Sequence, residues 1–324
     1  MKYFESFLAK QLEAFLDYRL NLGYDGRNLL AVLRQFDRYV KKTKPEPGLL
    51  TPSFFLTLRS NLKMDPVSVN SVICITRGFF NFLVRQGYYD ENPVRDIPFL
   101  RKNVVAPFIF SSQQTDRLLT VLCKRIRKEE SFYLKDLTIY MAILLLARCG
   151  MRISEPLRLR LEHYRSEEKT LYIENTKFKK DRLIPVPGAV ATEIDNFLHV
   201  RKSLLGIYQT LYLLPGAGQC RLHDGRVRLI FHQAVKEIGL VRHRQVIGNT
   251  VFAKPTPHSL RHSFAVNTLK KIKQHGQSPQ HALPVLAAYM GHVEYRSTAY
   301  YLKFIDAKQR EGLASFVASH QKPS

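Results

Sequence analysis

The stretch His258-Ser259-Leu260-Arg261-His262 sets two imidazoles and a guanidinium within five residues. On a helix the i,i+3 spacing of His258 and Arg261 brings both side chains to one face, where they can reach the same anion, and one phosphate suits such a pair. Further on, Gly291-His292 is followed by Tyr295, Tyr300 and Tyr301, which adds an imidazole and candidate phenol nucleophiles. Taken alone, the pentapeptide reads more simply as an ordinary basic helix. A zinc site is a poorer reading of the i,i+4 histidine pair, because the metalloprotease pattern needs a Glu beside the first His and Arg261 would repel the cation.

Two earlier segments carry complementary groups. The most apolar run of the chain, Leu134 to Ala147, predicts a buried helix that ends at Cys149-Gly150, with Gly150 free to take the left-handed conformation after the last turn. Arg152 follows directly in Gly150-Met151-Arg152-Ile153-Ser154-Glu155-Pro156, so a buried element holds its guanidinium; a structural ion pair with Glu155 is the simplest role for it in isolation. Proline at position 156 predicts that a new helix starts there. Leu171-Tyr172-Ile173 and Arg182-Leu183-Ile184-Pro185-Val186 read as a β-hairpin whose turn gathers Lys177, Lys179 and Lys180. Such a tip is usually solvated surface, and in a nucleic-acid-binding protein it can enter a groove.

What must position these groups follows from composition and pattern. The 324 residues carry 50 Lys and Arg against 27 Asp and Glu, a formal charge of +23, which points to a polyanionic partner and first to nucleic acid. Residues 1–100 hold 14 basic and 10 acidic side chains, or +4; the remainder holds 36 and 17, or +19, so most phosphate contacts belong to the second part. The start Met1-Lys2-Tyr3-Phe4-Glu5 lacks a signal-peptide pattern, and Ile139 to Ala147 is too short to span a bilayer. Cys74, Cys123, Cys149 and Cys220 form no C-x-x-C pair and read as buried thiols of a reducing compartment. A soluble cytoplasmic protein is expected.

Apolar periodicity predicts helices over residues 3–22, 26–42, 51–61 and 68–86, the third with Thr51 as cap and Pro52 at its first position. Asn92-Pro93 to Pro107 reads as connecting chain, which divides the sequence into a helical domain at 1–100, a linker at 101–107 and a second domain at 108–324. In the latter, Ser112 or Thr115 caps a helix to Arg127, Pro215 to Arg228 is a basic loop, Leu229 to Ile238 is helical, and Asp306 to Ser319 forms a short amphipathic tail helix. The tail packs on its own domain or on a neighbouring subunit.

Arg152 in Gly-x-Arg-x-Ser-Glu, Lys177 in the hairpin, His258-x-x-Arg261, and His292 with Tyr301 nine residues later occur in this order. Together they resemble the signature of the tyrosine recombinases, the lambda-integrase-like family of phage integrases, Xer proteins and transposon recombinases. The resemblance covers most of the chain and implies a mainly α fold with a small antiparallel β-sheet, in which a helical core-binding domain clamps DNA and an α+β domain performs catalysis. It implies strand cutting through a 3′-phosphotyrosyl bond, with no metal or ATP and no cofactor, on double-stranded DNA sites paired by a homotetramer, with or without accessory DNA-bending or partner recombinase proteins.

The residues can support that reaction on their own chemistry. Guanidinium forks at Arg152 and Arg261 match the non-bridging oxygens of a pentacoordinate phosphate, and a phenol with an ordinary pKa of about 10 needs help to lose its proton. The resemblance assigns Lys177 as general acid, ahead of Lys179 and Lys180. It gives His258 an orienting or deprotonating role and His292 a hydrogen bond to the phosphate, and its nine-residue interval selects Tyr301 over Tyr300 and Tyr295 as nucleophile. Two further readings share these features: a type IB topoisomerase-like enzyme that relaxes DNA, and a DNA-binding protein of this fold without catalysis.

Overall fold

The structure, a computed structural model, describes residues 3–24, 26–46, 50–174, 181–206 and 210–305. The chain divides into two compact units, Met1–Val104 with Gly248–Thr250, and Val105–Ile247 with Val251–Ser324. The first holds helices α1 (Ala9–Asn21), α2 (Gly26–Thr43), α3 (Pro52–Asn61) and α4 (Pro66–Arg85). Their apolar faces meet in an aromatic core where Phe36, Phe55, Phe79 and Phe80 are fully buried, Phe55 meeting Phe80 edge-on at 5.2 Å.

Three expectations for this unit change. The periodic run from Tyr3 does not begin a helix. The buried Asp37 carboxylate of α2 accepts the backbone N–H groups of Glu5 (2.9 Å) and Ser6 (3.0 Å), and the chain becomes helical only at Ala9. The fourth helix starts at Pro66, since proline is well suited to a first turn. The segment from Asn92 to Leu100 is not loose connecting chain. Val94 and Ile97 are buried, Arg77 donates to the carbonyls of Val94 and Ile97, and Asn70 exchanges two hydrogen bonds with the backbone of Leu100. Helix α4 is, among the described residues, the one helix long and apolar enough to cross a membrane, and its Val69, Val72, Ile73, Phe79, Phe80 and Leu83 pack inside this unit.

The remaining elements are β1 (Val104–Ala106), α5 (Ser112–Lys124), α6 (Glu130–Arg148), β2 (Tyr164–Arg165), β3 (Thr170–Ile173), β4 (Arg182–Pro185), α7 (Gly188–Leu205), α8 (Asp224–Glu237), β5 (Gln245–Ile247), β6 (Thr250–Phe252), α9 (Pro257–Gln274), α10 (Pro279–Met290) and α11 (Tyr295–Ala299). Helix α6 is the axis of the second unit. Its residues Ile139 and Met141 to Ala147 are buried, and α5, α7, α8 and α9 lie against it. Strands β2, β3 and β4 form an antiparallel sheet in which Ile173 pairs with Arg182 and Leu171 with Ile184, as the hairpin reading requires. A second sheet, ordered β1-β6-β5, was not legible in a segment of short, exposed strands.

Helix starts shift where caps were misjudged. Ser111, not Ser112 or Thr115, caps α5, in a reciprocal box with Gln114. Helix α6 opens at Glu130, and α8 opens at Asp224 behind His223, so the basic loop ends earlier than expected. Pro156 begins only a three-residue 3-10 turn, Pro156–Arg158. Of the cysteines, Cys149 alone is buried; Cys74 and Cys123 are exposed because adjacent residues lie about 100° apart around a helix, so apolar neighbours need not share their face, and Cys220 is exposed in the loop before α8.

Candidate active site

Gly150 has φ +58°, and a Cβ there would stand 2.4 Å from the Phe264 ring, so the turn after α6 is closed to side chains. That turn carries Arg152 inward. Its backbone N–H donates to Glu155 Oε2 (2.8 Å), its Nη1 to Glu155 Oε1 (3.0 Å) and its Nη2 to the Gly291 carbonyl (2.7 Å). The expected Arg152–Glu155 pair is therefore present, and it is half of a larger arrangement. Arg182, the first residue of β4, grips the same carboxylate from the other side with Nη1 (3.0 Å) and Nη2 (2.9 Å). Burial works to raise the Glu155 carboxyl. The Arg182 hydrogen bonds and charge, with the Arg152 N–H, outweigh it and hold it below the usual carboxylate range.

Helix α9 begins with Thr256 and Ser259 in a reciprocal capping box and Pro257 at its first position, which places His258 in the first turn and Arg261 one turn on. Arg261 is only 1% exposed and donates from Nη1 to the Gly150 carbonyl (2.7 Å) and from Nη2 to the Met290 carbonyl (2.5 Å). Arg182 Nε donates to the Tyr289 carbonyl (2.8 Å). Three successive carbonyls at the end of α10, those of Tyr289, Met290 and Gly291, are thus held by Arg182, Arg261 and Arg152. A helix end leaves its last carbonyls without partners and carries partial negative charge, so it gathers cations. Gly291, at φ +65°, turns the chain there, and the His292 N–H closes back on the Ala287 carbonyl.

Beyond that turn, His292 Nδ1 hydrogen-bonds Thr298 Oγ1 at 2.7 Å, and Thr298 is fully buried on α11. Tyr301 is 3% exposed and packs among Ala265, Val266, Leu269 and Met290; its ring stacks at 28° to that of His292, with centroids 6.3 Å apart. Its hydroxyl meets His262 Nδ1 at 2.9 Å. Tyr300 points elsewhere, donating to the Val105 carbonyl (2.6 Å), and Tyr295 is 52% exposed. Adjacent tyrosines leaving a helix diverge by about 100°, which separates the two rings.

The electrostatics follow from burial and crowded positive charge. Burial pushes the Tyr301 phenol up to about 12, against the pull of Arg261 and Arg152. Burial, then the Arg152 charge, lowers Arg261 to about 10. His262 is lowered to about 3 by burial, His258, Arg261 and His292, and His292 to about 4 by burial and the three arginines. His258 is lowered to about 4 by burial, Arg261 and Arg152, but its side chain opens to solvent, which screens part of that effect. The pocket holds neutral imidazoles, a protonated phenol and cationic guanidiniums, with the Glu155 carboxylate between Arg152 and Arg182.

The sequence-predicted Arg152, His258, Arg261, His292 and Tyr301 come together here. Lys177, with Lys179 and Lys180, lies outside the described residues, between β3 and β4 in the sequence. Sequence reasoning missed Arg182, read only as the start of an apolar strand; Thr298, which had no signal; and His262, weighed only as part of a basic helix or as a metal ligand. The one available sign for His262 was its i,i+4 spacing from His258, which puts both on one face of α9; their rings meet edge-on at 4.6 Å.

Residues 109–307 match the phage integrase family. The "Putative integrase/recombinase y4rE" of Sinorhizobium fredii (strain NBRC 101917 / NGR234) is 30% identical over 308 residues, covering 93% of each chain. A "Tyrosine recombinase" of Pseudothermotoga lettingae (strain ATCC BAA-301 / DSM 14385 / NBRC 107922 / TMO) is 26% identical, covering 79% of this chain and 77% of that one. The solved structure of XerH site-specific recombinase bound to palindromic difH substrate, a post-cleavage complex, shares the fold: its TM-score is 0.70 at 17% identity, over 94% of this chain and 84% of that one. On the family match, this similarity and the shared α+β architecture, the chain belongs to the phage integrase family and is a tyrosine recombinase, an enzyme of site-specific DNA recombination.

Proposed function

We propose that this recombinase cuts double-stranded DNA by attack of Tyr301 Oη on a phosphodiester, forming a 3′-phosphotyrosine and freeing a 5′-hydroxyl, and rejoins strands by the reverse step. The observation that carries this reading is the burial of Tyr301 within the field of Arg152 and Arg261, beside His262 and His292. The guanidiniums of Arg152 and Arg261 clamp the non-bridging oxygens as the phosphorus becomes pentacoordinate, where losing one such donor typically costs about two to three orders of magnitude in rate. His292 donates to the phosphate from Nε2, the nitrogen left when Nδ1 binds Thr298. His258 orients the phosphate or takes a proton, and Lys177 supplies the proton that the leaving 5′-oxygen needs. The ester energy is conserved in the covalent intermediate, so neither ATP nor a metal is required.

Residues 1–100 form the core-binding domain that clamps the duplex, 101–107 the linker and 108–324 the catalytic domain. Four copies assemble on two paired sites in the cytoplasm, with or without accessory proteins. The test mixes the protein, in excess EDTA, with nicked duplexes tiled across the DNA that flanks its own coding sequence, and locates the DNA-linked peptide by mass spectrometry. A link at Tyr301 that disappears in Tyr301→Phe supports the mechanism; tight binding with no adduct on any duplex overturns it.

A further inference from the structure

We propose that His262 receives the Tyr301 proton during cleavage and returns it during rejoining, which makes it a catalytic residue beside the phosphate-binding set. This rests on the reading of Tyr301 as nucleophile. Of the imidazoles around the pocket, His262 is the one whose ring nitrogen meets the phenol hydroxyl, at 2.9 Å, within the roughly 2.6–3.2 Å that proton transfer between heavy atoms requires. His292 spends its Nδ1 on Thr298, and His258 stands in the first turn of α9, next to the guanidiniums and open to solvent.

Protonation state agrees with the geometry. The groups facing His262 are His258 and Arg261 from its own helix, His292 from the turn after α10, and Tyr301; burial first, then His258, Arg261 and His292, disfavour a positive imidazolium, which favours a neutral His262 in the free protein. A neutral ring that accepts from Tyr301 at Nδ1 carries its own hydrogen on Nε2. A base this weak does not ionise a resting phenol. It serves in a concerted step, because the phenol oxygen becomes a far stronger acid as its bond to phosphorus forms.

The atoms balance. As Oη–P forms and P–O5′ breaks, the phenol proton passes to His262 Nδ1, and the 5′-oxygen takes a separate proton from the general acid. The imidazolium appears while the phosphate gains negative charge, which offsets the crowding of cations. In rejoining, the 5′-hydroxyl returns its proton to the acid and His262 returns the other to the departing phenolate oxygen.

The discriminating variant is His262→Asn, whose side-chain oxygen can stand near the Nδ1 position and hold the phenol but cannot take its proton. Cleavage is followed on the nicked duplexes already described, and on a copy of the cleaved duplex with sulfur in place of the bridging 5′-oxygen. A thiolate leaves without a proton, so the sulfur rescues defects in the general acid only. Expected for His262→Asn are unchanged DNA binding and thermal melting, an adduct still at Tyr301, and a rate about a hundredfold or more below wild type. Sulfur does not rescue it, and its rate climbs about tenfold per pH unit toward alkali, as free phenolate replaces the missing base, while the wild type does not respond this way. A wild-type rate in His262→Asn, or full rescue by sulfur, overturns the role of His262 while leaving Tyr301 in place. Absence of any wild-type adduct, or an adduct at Tyr300, overturns the Tyr301 reading itself. Independently of DNA, nitrogen-15 resonances of the His262 ring in the free protein should show an unprotonated Nδ1 that shifts in Tyr301→Phe; a protonated Nδ1 would sink the proposal.

Discussion

Arg152 Nη2 donates to the Gly291 carbonyl at 2.7 Å, tying the turn that follows α6 to the turn that ends α10, although 139 residues separate them. Together with Arg261 on Met290 and Arg182 on Tyr289, it makes the end of one helix the frame on which the cationic pocket is built.

The two adjacent tyrosines should separate cleanly. Tyr301→Phe is expected to abolish adduct formation. Tyr300→Phe, which loses only a bond to the Val105 carbonyl, should cleave within a few-fold of wild type. Denaturing gels of protein–DNA adducts decide it.

Arg182 should matter for stability as well as activity. Its guanidinium is 9% exposed and the Glu155 carboxylate 4%. In Arg182→Met the buried carboxylate keeps only Arg152, and breaking such a pair from one side costs about 3–5 kcal/mol. Urea unfolding should show a loss near the lower end of that range, since Arg152 remains, and cleavage should slow as the Arg152 fork loses its fixed partner.

Gly291→Ala tests the turn itself. A Cβ would stand 3.0 Å from Arg182 Nη1 and 3.2 Å from its Cζ, at a backbone φ of +65° that disfavours side chains. We expect about 1–2 kcal/mol of destabilisation from the backbone alone and a cleavage defect as Arg182 is pushed from Glu155, read by thermal melting and by adduct yield.

Acid should weaken the fold from the histidines down. His262 and His292 have folded values near 3 and 4, below the roughly 6.5 of an unfolded chain, so the unfolded state binds more protons between those limits. Their contribution is full above pH about 6.5 and is lost as pH falls toward 4 and 3. Glu155, also held low, adds to the loss below the ordinary carboxylate range. In the proposed complex a bound phosphate reverses the sign at His292 by favouring its charged form, while His262, on the Tyr301 phenol, stays neutral. DNA binding should take up protons and tighten as pH drops from 7 to 5.5, which calorimetry in buffers of different ionisation enthalpy measures.

On the first unit, Lys42 and Lys44 lie in a concave patch with Tyr3, Arg34 and Arg38, and both are exposed. If they meet the duplex backbone, Lys42→Ala with Lys44→Ala should lower the slope of log affinity against log salt by about two and weaken all duplexes alike. An unchanged slope would place the duplex on another face.

Helix spacing and the exit of a buried helix marked His258, Arg261 and Arg152 as candidates, and the resemblance to tyrosine recombinases added His292 and Tyr301. The apolar axis α6 and the β3–β4 pairing were legible because each is set by periodicity of 3.6 or 2, whereas the capping box that starts α9 was not read. Contacts across the chain were not. That the α10 carbonyls would recruit three arginines, that Glu155 would be held by Arg182 as well as Arg152, and that His262 would reach Tyr301 depends on how α6, α9, α10 and β4 pack. Burial decides their protonation too, since a histidine reads the same in sequence whether it faces water or a cluster of guanidiniums. The sequence alone determined which chemical groups this recombinase has and roughly where along the chain they stand; only tertiary packing decided which of them touch, because hydrogen bonds and desolvation act between neighbours in space.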